Sequence, residues 1–284
     1  MQLIINGLVI GSIIAITAIG LSMIYKTLHF VNFAHGDIVT FAAYIALFAN
    51  TSSGIHLVYA FLVAILATII LGVFMEKVVW LPMRRKNATR TTLIIISIGF
   101  ALVLRNAIIF VWGGDTKGYD IPVRRGFDLF GATITPNQVL VIVAAVTLMF
   151  FLHYLLSRTM IGKAMRALSD NIDLARVSGI DVDRTILWTW VIGLGLAASG
   201  GVLYGLVTAI RPCMGWFLLL PMFAAIVLGG IGNPYGTIAG GMIIGLSQEL
   251  STAVLPTEYK FAVSFVVMTV VLLIKPEGLF GGAK

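Results

Sequence analysis

Nine apolar segments, near residues 3–24, 38–49, 57–75, 92–112, 138–156, 186–207, 217–231, 236–252 and 259–274, follow one another with little polar sequence between them. A helix that crosses the hydrocarbon layer takes roughly 20 apolar residues, with a range of about 17 to 25. The 38–49 and 217–231 segments are too short to cross unaided and read as half-helices or re-entrant elements. With 59% hydrophobic residues, 11% charged residues and a mean hydropathy of +1.03, the chain could not hold this surface against water as a soluble domain. The expected fold is all-α: a polytopic integral membrane protein of about eight transmembrane helices with short broken or re-entrant segments. The breaks are expected beside the Gly-rich motifs, because irregular backbone at membrane depth survives only where protein or a water-filled path satisfies it. Residues 1–284 read as one transmembrane domain.

The formal net charge of +7 lies in the loops between apolar segments, not along an aromatic-studded basic face, so its meaning is topological and nucleic acid is not an expected partner. Residues 82–90 hold Arg84, Arg85, Lys86 and Arg90 with no acid. The 157–184 loop adds five basic residues, whereas 113–137 has three basic and three acidic ones. The first two loops are therefore expected in the cytoplasm, with Lys275 and Lys284 inside as well. The side of the N-terminus stays open. The first segment lacks a basic flank before it and reads as a retained helix, not a cleavable signal. The lone Cys213 excludes an internal disulfide, and no Cys/His spacing suggests a metal.

The 157–184 loop has nine charges in 28 residues yet carries a helical design of its own. Ile161, Ala164, Leu168, Ile172 and Ala175 form a slim apolar stripe, and Arg166 and Asp170 stand at i,i+4 on another face. Ser169 or Asp170 is the expected cap of a second short helix, with Asp173 completing a box, and Gly179 the left-handed stop. A pair of short amphipathic helices outside the membrane can rest on headgroups. It can equally be a docking element in which Ala164, Ala167 and Ala175 let a partner approach.

The run G-x-A-x-R-A (Gly162, Ala164, Arg166, Ala167), then Asp170-Asn171 with Ala175, then Gly179-Ile180, resembles the ATPase-coupling loop of ABC-importer permeases of the branched-chain and neutral amino-acid branch. Asn32-Phe33-Ala34-His35-Gly36-Asp37, Gly229-Gly230-Ile231-Gly232-Asn233-Pro234 and Lys275-Pro276-Glu277-Gly278-Leu279-Phe280-Gly281 resemble the same branch, so the likeness spans almost the whole chain. It is similar to the smaller permease subunit of such systems. That resemblance implies an inner-membrane subunit paired with a second related permease, two cytoplasmic ATPases that hold ATP and Mg, and an external substrate-binding protein. Neutral or branched-chain amino acids would be moved inward. A urea or short-amide importer subunit is the alternative, and a secondary transporter or channel a more distant one.

No enzyme is expected: G-x-x-x-x-G-K-[ST], H-E-x-x-H and G-x-S-x-G are all absent, and no cofactor is expected on this chain. Asn32, His35, Gly36 and Asp37 form a candidate substrate-path or gating element, with Asp37 as a helix cap the plain alternative. Gly229, Gly230, Gly232 and Asn233 line a path or, as the favoured reading, make a tight turn between short helices. Arg105 and Glu249 each lie 13 residues into a predicted span, about 20 Å deep at ~1.5 Å per residue, and are expected to pair or share an aqueous pocket unless Arg105 snorkels outward. Gly7/Gly11, Gly193/Ala197/Gly201/Gly205, Gly236/Gly240 and Gly241/Gly245 are expected packing seams, within the chain before a partner.

Overall fold

A computed structural model describes residues 1–122, 125–129 and 131–281; Lys284 of the topology argument lies outside the described residues. Each of the nine apolar segments is a helix. In chain order the elements are α1 (Gln2–Leu28), α2 (Ala34–Leu47), α3 (Leu57–Met75), α4 (Leu81–Arg85), α5 (Arg90–Trp112), α6 (Pro136–Arg158), α7 (Met160–Asp170), α8 (Ile172–Val177), α9 (Val182–Val207), α10 (Met214–Gly229), α11 (Pro234–Ser251) and α12 (Lys260–Ile274). A π turn over Glu76–Trp80 joins α3 to α4. A small antiparallel hairpin, β1 (Phe127–Leu129) and β2 (Ala132–Ile134), precedes α6. Among the described residues, six stretches are long and apolar enough to cross a membrane: 2–28, 57–85, 90–112, 136–158, 182–207 and 257–274. The about eight expected crossings resolve into these six plus the shorter α2, α10 and α11.

The long helices divide by burial. α1 and α9 are mostly buried, whereas α3, α5, α6 and α12 expose most of their apolar surface, which suits them to face lipid or another chain. Close approach at the centre depends on the small-residue seams, which pack within this chain. Gly7 and Gly11 of α1 meet the α11 backbone at Leu246 and Gly241–Met242, Gly245 meets Gly11, Gly193 meets Gly20 and Gly201 meets Val39. With no hydrophobic drive between helices in lipid, this dispersion contact of backbone on backbone holds the bundle.

The two ends of the bundle differ in charge; the end carrying the basic loops is called inner and the opposite one outer. Arg85 lies 3.4 Å from Asp183, so the basic loops after α4 and before α9 share one end, as the loop charge predicts. At the other end, Gln2 exchanges two hydrogen bonds with the Thr133 backbone, and Gln138 donates to Asn6. The N-terminus, undecided from sequence, stands opposite the basic loops, beside the 113–135 connection. There Asp120 N–H donates to Asn50, and the phenol of Tyr119, whose pKa burial pushes up, donates to the Ala43 carbonyl.

Candidate functional site

Two helices begin inside the bundle instead of at its ends. The chain leaves α1 through His29 in the left-handed region and folds back along it, so that His35, in the first turn of α2, reaches the Thr17 carbonyl halfway along α1 (3.1 Å). α2 then runs to the outer end. α10 also starts at depth, its Gly215 N–H donating to Thr40 of α2 at 3.0 Å, and runs to the inner end. At ~1.5 Å per residue these helices of 14 and 16 residues are about 21 and 24 Å long, short of the ~30 Å hydrocarbon core. Their crossing requires glycine on both sides: a methyl at Gly215 would stand 1.9 Å from the Gly36 carbonyl oxygen, and one at Gly36 would stand 2.5 Å from that of Gly215.

The break before α2 is satisfied by protein, as a backbone interruption in lipid must be. Asn32 accepts from Ala34 N–H, and Phe33 N–H donates to Ser97 of α5 (both 3.1 Å). Asn32 Nδ2 and His35 Nδ1, both buried, have no partner among the described residues. The alternative reading of Asp37 as a helix cap is not what occurs. α2 starts three residues earlier, and the fully buried Asp37 carboxylate accepts a bidentate pair from Arg105 of α5 (2.9 and 3.0 Å). The Arg105 guanidinium lies over the Trp216 ring of α10, 4.7 Å from its centroid, so three helices meet at one charge pair.

This geometry corrects the proposed Arg105 and Glu249 pairing. Arg105, on α5, is held by Asp37 of α2. Glu249, on α11, binds Lys260 at the start of α12 (2.6 Å). The bidentate guanidinium fork also replaces the snorkelling alternative: the Arg105 side chain is 17% exposed.

At the inner end, Gly229 to Asn233 form a tight turn between α10 and α11, in keeping with the favoured sequence reading. Gly230 (φ 95°) and Gly232 (φ 82°) take conformations that only glycine adopts without strain. Asn233 caps α11 by accepting from Tyr235 and Gly236 N–H. The C-terminal motif straps this turn: Leu279 N–H donates to the Leu228 carbonyl at 2.7 Å, and Asn233 donates to the Phe280 carbonyl at 3.1 Å. Gly230, Gly232 and Asn233 line a cavity of about 780 Å³ that also meets Arg166 and Ser169 of α7.

The 157–184 loop forms the expected short helix pair, with two corrections. Neither Ser169 nor Asp170 caps α8; Asn171 does, accepting from Asp173 N–H (3.0 Å) and Leu174 N–H (2.9 Å). Ser169 instead donates to the Met165 carbonyl, and Asp170 ends α7. Arg166 and Asp170, despite their spacing, make no ion pair within 4.0 Å; Asp173 and Arg176 do, at 3.9 Å. Gly179 (φ 82°) ends α8, with Gly179 and Ile180 N–H donating to the Arg176 and Ala175 carbonyls, a Schellman closure.

The second correction concerns the apolar stripe. Gly162, Met165, Leu168 and Ala175 are buried against this chain's own helices, and Ile161, Ala164, Ala167, Ile172 and Ile180 are half-buried. The slim face therefore seats the pair on the bundle. The surface left open carries Arg166, Asp170 and Asn171, with Leu174 (61% exposed) and Val177 (81%) beside them. Gly162 makes the turn from α6 possible, since a methyl there would meet the Leu155 carbonyl oxygen at 2.4 Å. Trp216, Thr40, Ser97 and Lys260 were not anticipated from sequence; only Lys260, a charge opening an apolar segment, left a signal there.

Spanning helices, half-helices meeting at depth and a helical pair seated on the inner end define a multi-pass membrane protein of the permease class. The chain belongs to the family described as branched-chain amino acid transport system / permease component, which matches residues 3–272. It is 32% identical over 295 residues to the high-affinity branched-chain amino acid transport system permease protein BraD of Pseudomonas aeruginosa, covering 99% of this chain and 95% of that one. It is 33% identical over 297 residues to the LivH protein of the same description from Escherichia coli K12, at the same coverage. A probable LivH of Methanocaldococcus jannaschii is 29% identical over 296 residues, covering 99% of this chain and 92% of that one. No solved structure matches.

Proposed function

We propose that this chain is a permease subunit of an ABC importer that carries branched-chain or other neutral amino acids inward across the cell's inner membrane, driven by ATP and Mg held on separate cytoplasmic ATPases. The observation that carries this reading is the match along 99% of the chain to permeases named for high-affinity branched-chain amino acid transport. Those names favour such substrates over urea or short amides. The complex would hold a second related permease, two ATPases and an external binding protein. On this reading the open face of the α7 and α8 pair, with Arg166, Asp170 and Asn171, meets an ATPase. Gly162, Ala164, Ala167, Ala175, Gly179 and Ile180 hold the pair in position, and movement passes through the α6–α7 turn to α1 and α9. The Asn32 to Asp37 element and the Gly229 to Asn233 turn are the candidate parts of the path.

The test is reconstitution of the four-subunit membrane assembly with its binding protein in proteoliposomes. ATP-dependent uptake of labelled leucine, isoleucine or valine, lost when this chain is omitted, is expected. Uptake by this chain alone without ATP would favour a secondary transporter or channel and overturn the proposal.

A further inference from the structure

A second cavity, of about 370 Å³, lies near the outer end of the bundle and is walled by α1, α6, α9, α10, α11 and α12. Its lining combines the Glu249 and Lys260 pair with the amides of Gln248, Asn6 and Gln138, and with apolar Val9, Leu218 and Phe261. A smaller cavity of about 320 Å³ shares Gln138 and Val207 with it and is bounded by Ile121, Pro122 and residues 135–137 of the outer connection. The two cavities are neighbours, separated at Gln138 and Val207.

The polar groups here have capacity to spare. Lys260 Nζ gives one of its three donors to Glu249 Oε1, and Glu249 Oε2 takes none among the described residues, although Glu249 is only 7% exposed. Gln248 donates one side-chain N–H to Ser264 (2.7 Å), and its Oε1 accepts from no group among the described residues. Pro221 lies inside α10 and lines the same cavity. It has no N–H to give, so the Phe217 carbonyl beneath it lacks its usual helical donor. An adjacent anion and cation, neutral amide groups and an apolar wall form a complement to a small zwitterion with an apolar side chain.

Resting on the proposed function, we infer that this outer cavity is a transit site for a zwitterionic amino acid, whose carboxylate takes Lys260, whose ammonium takes Glu249, and whose side chain lies against Val9, Leu218 and Phe261. The ligand would part the ion pair and replace each charge's partner with its own, so neither residue is left uncompensated. A volume of this size lies within the range of small-molecule sites.

The test uses the reconstituted complex with Cys213→Ser and a reporter cysteine, Val207→Cys, at the rim shared by both cavities. Its labelling by an impermeant maleimide added from outside is followed on this subunit by mass. Saturating L-leucine should slow labelling at least about threefold, as a site mostly filled by ligand requires. 4-Methylpentanoate, which lacks the ammonium, and isoamylamine, which lacks the carboxylate, should not. Protection should be lost in Glu249→Gln and in the doubly neutral Glu249→Gln/Lys260→Met, the latter leaving no unpaired charge to unfold the bundle. Equal protection by all three probes, no protection by leucine, or protection that survives both variants would overturn the site. Loss of ATP-driven leucine uptake is a separate outcome: if the unmutated complex transports no amino acid, the functional reading fails and this assignment with it.

Discussion

The contact between Asp37 and Arg105 shows how one charge pair can fix helices that sequence places 68 residues apart. A lone Arg at membrane depth is costly, by roughly 2.5–3.5 kcal/mol on insertion scales. Here the bidentate carboxylate and the Trp216 face offset that cost. Removing either partner leaves the other buried without compensation, typically at about 3–5 kcal/mol, whereas removing both is often close to neutral. Asp37→Asn and Arg105→Met should therefore each reduce the amount and thermal stability of the folded protein in detergent, and the double variant should recover part of the loss. Strictly additive losses would mean that the two side chains act separately. The sequence marked both residues as unusual but matched Arg105 with the wrong acid. Depth along a helix can be counted from sequence, but which helices are neighbours cannot.

At the scale of the element, the existence of the α7 and α8 pair and its glycine stop were legible, whereas its cap, Asn171 instead of Ser169 or Asp170, was not. Spacing and a glycine stop are local properties, and Gly179 stands where a left-handed residue is required. The direction of its slim face was not legible, because a stripe of small apolar residues suits the chain's own helices as well as it suits a partner. With that stripe turned inward, the apolar residues left exposed on the pair are Leu174 and Val177, which on the proposed function would face the ATPase. If the pair docks an ATPase, Val177→Asp should weaken ATPase binding by roughly 30-fold, the scale of an interface hot spot of about 2 kcal/mol, while membrane insertion stays normal. Co-purification of the ATPase with the variant permease measures this, and undiminished recovery would reject the docking face.

For the whole molecule, the arrangement of ends makes a topological prediction. In a background lacking Cys213, cysteines at Asn87 and Ser178 should react only with a cytoplasmic thiol reagent. Cysteines at Gly118 and Gln2 should react only from outside, since Gln2 is bonded to the hairpin that shares the 113–135 connection. Labelling of Gln2 and Ser178 from the same side would break the assignment. The number of apolar segments, the short pair at 38–49 and 217–231 and the gathering of the basic loops at one end were legible in sequence alone, because each follows from burying apolar residues in a layer of fixed thickness and from local charge. Tertiary structure alone decided that α2 and α10 start at depth and cross at Gly36 and Gly215, that Arg105 meets Asp37 while Glu249 meets Lys260, and that an outer cavity remains between six helices. Those features depend on which backbones approach closely enough to touch. In lipid that choice rests on the summed packing of many small residues, which no local stretch of sequence contains.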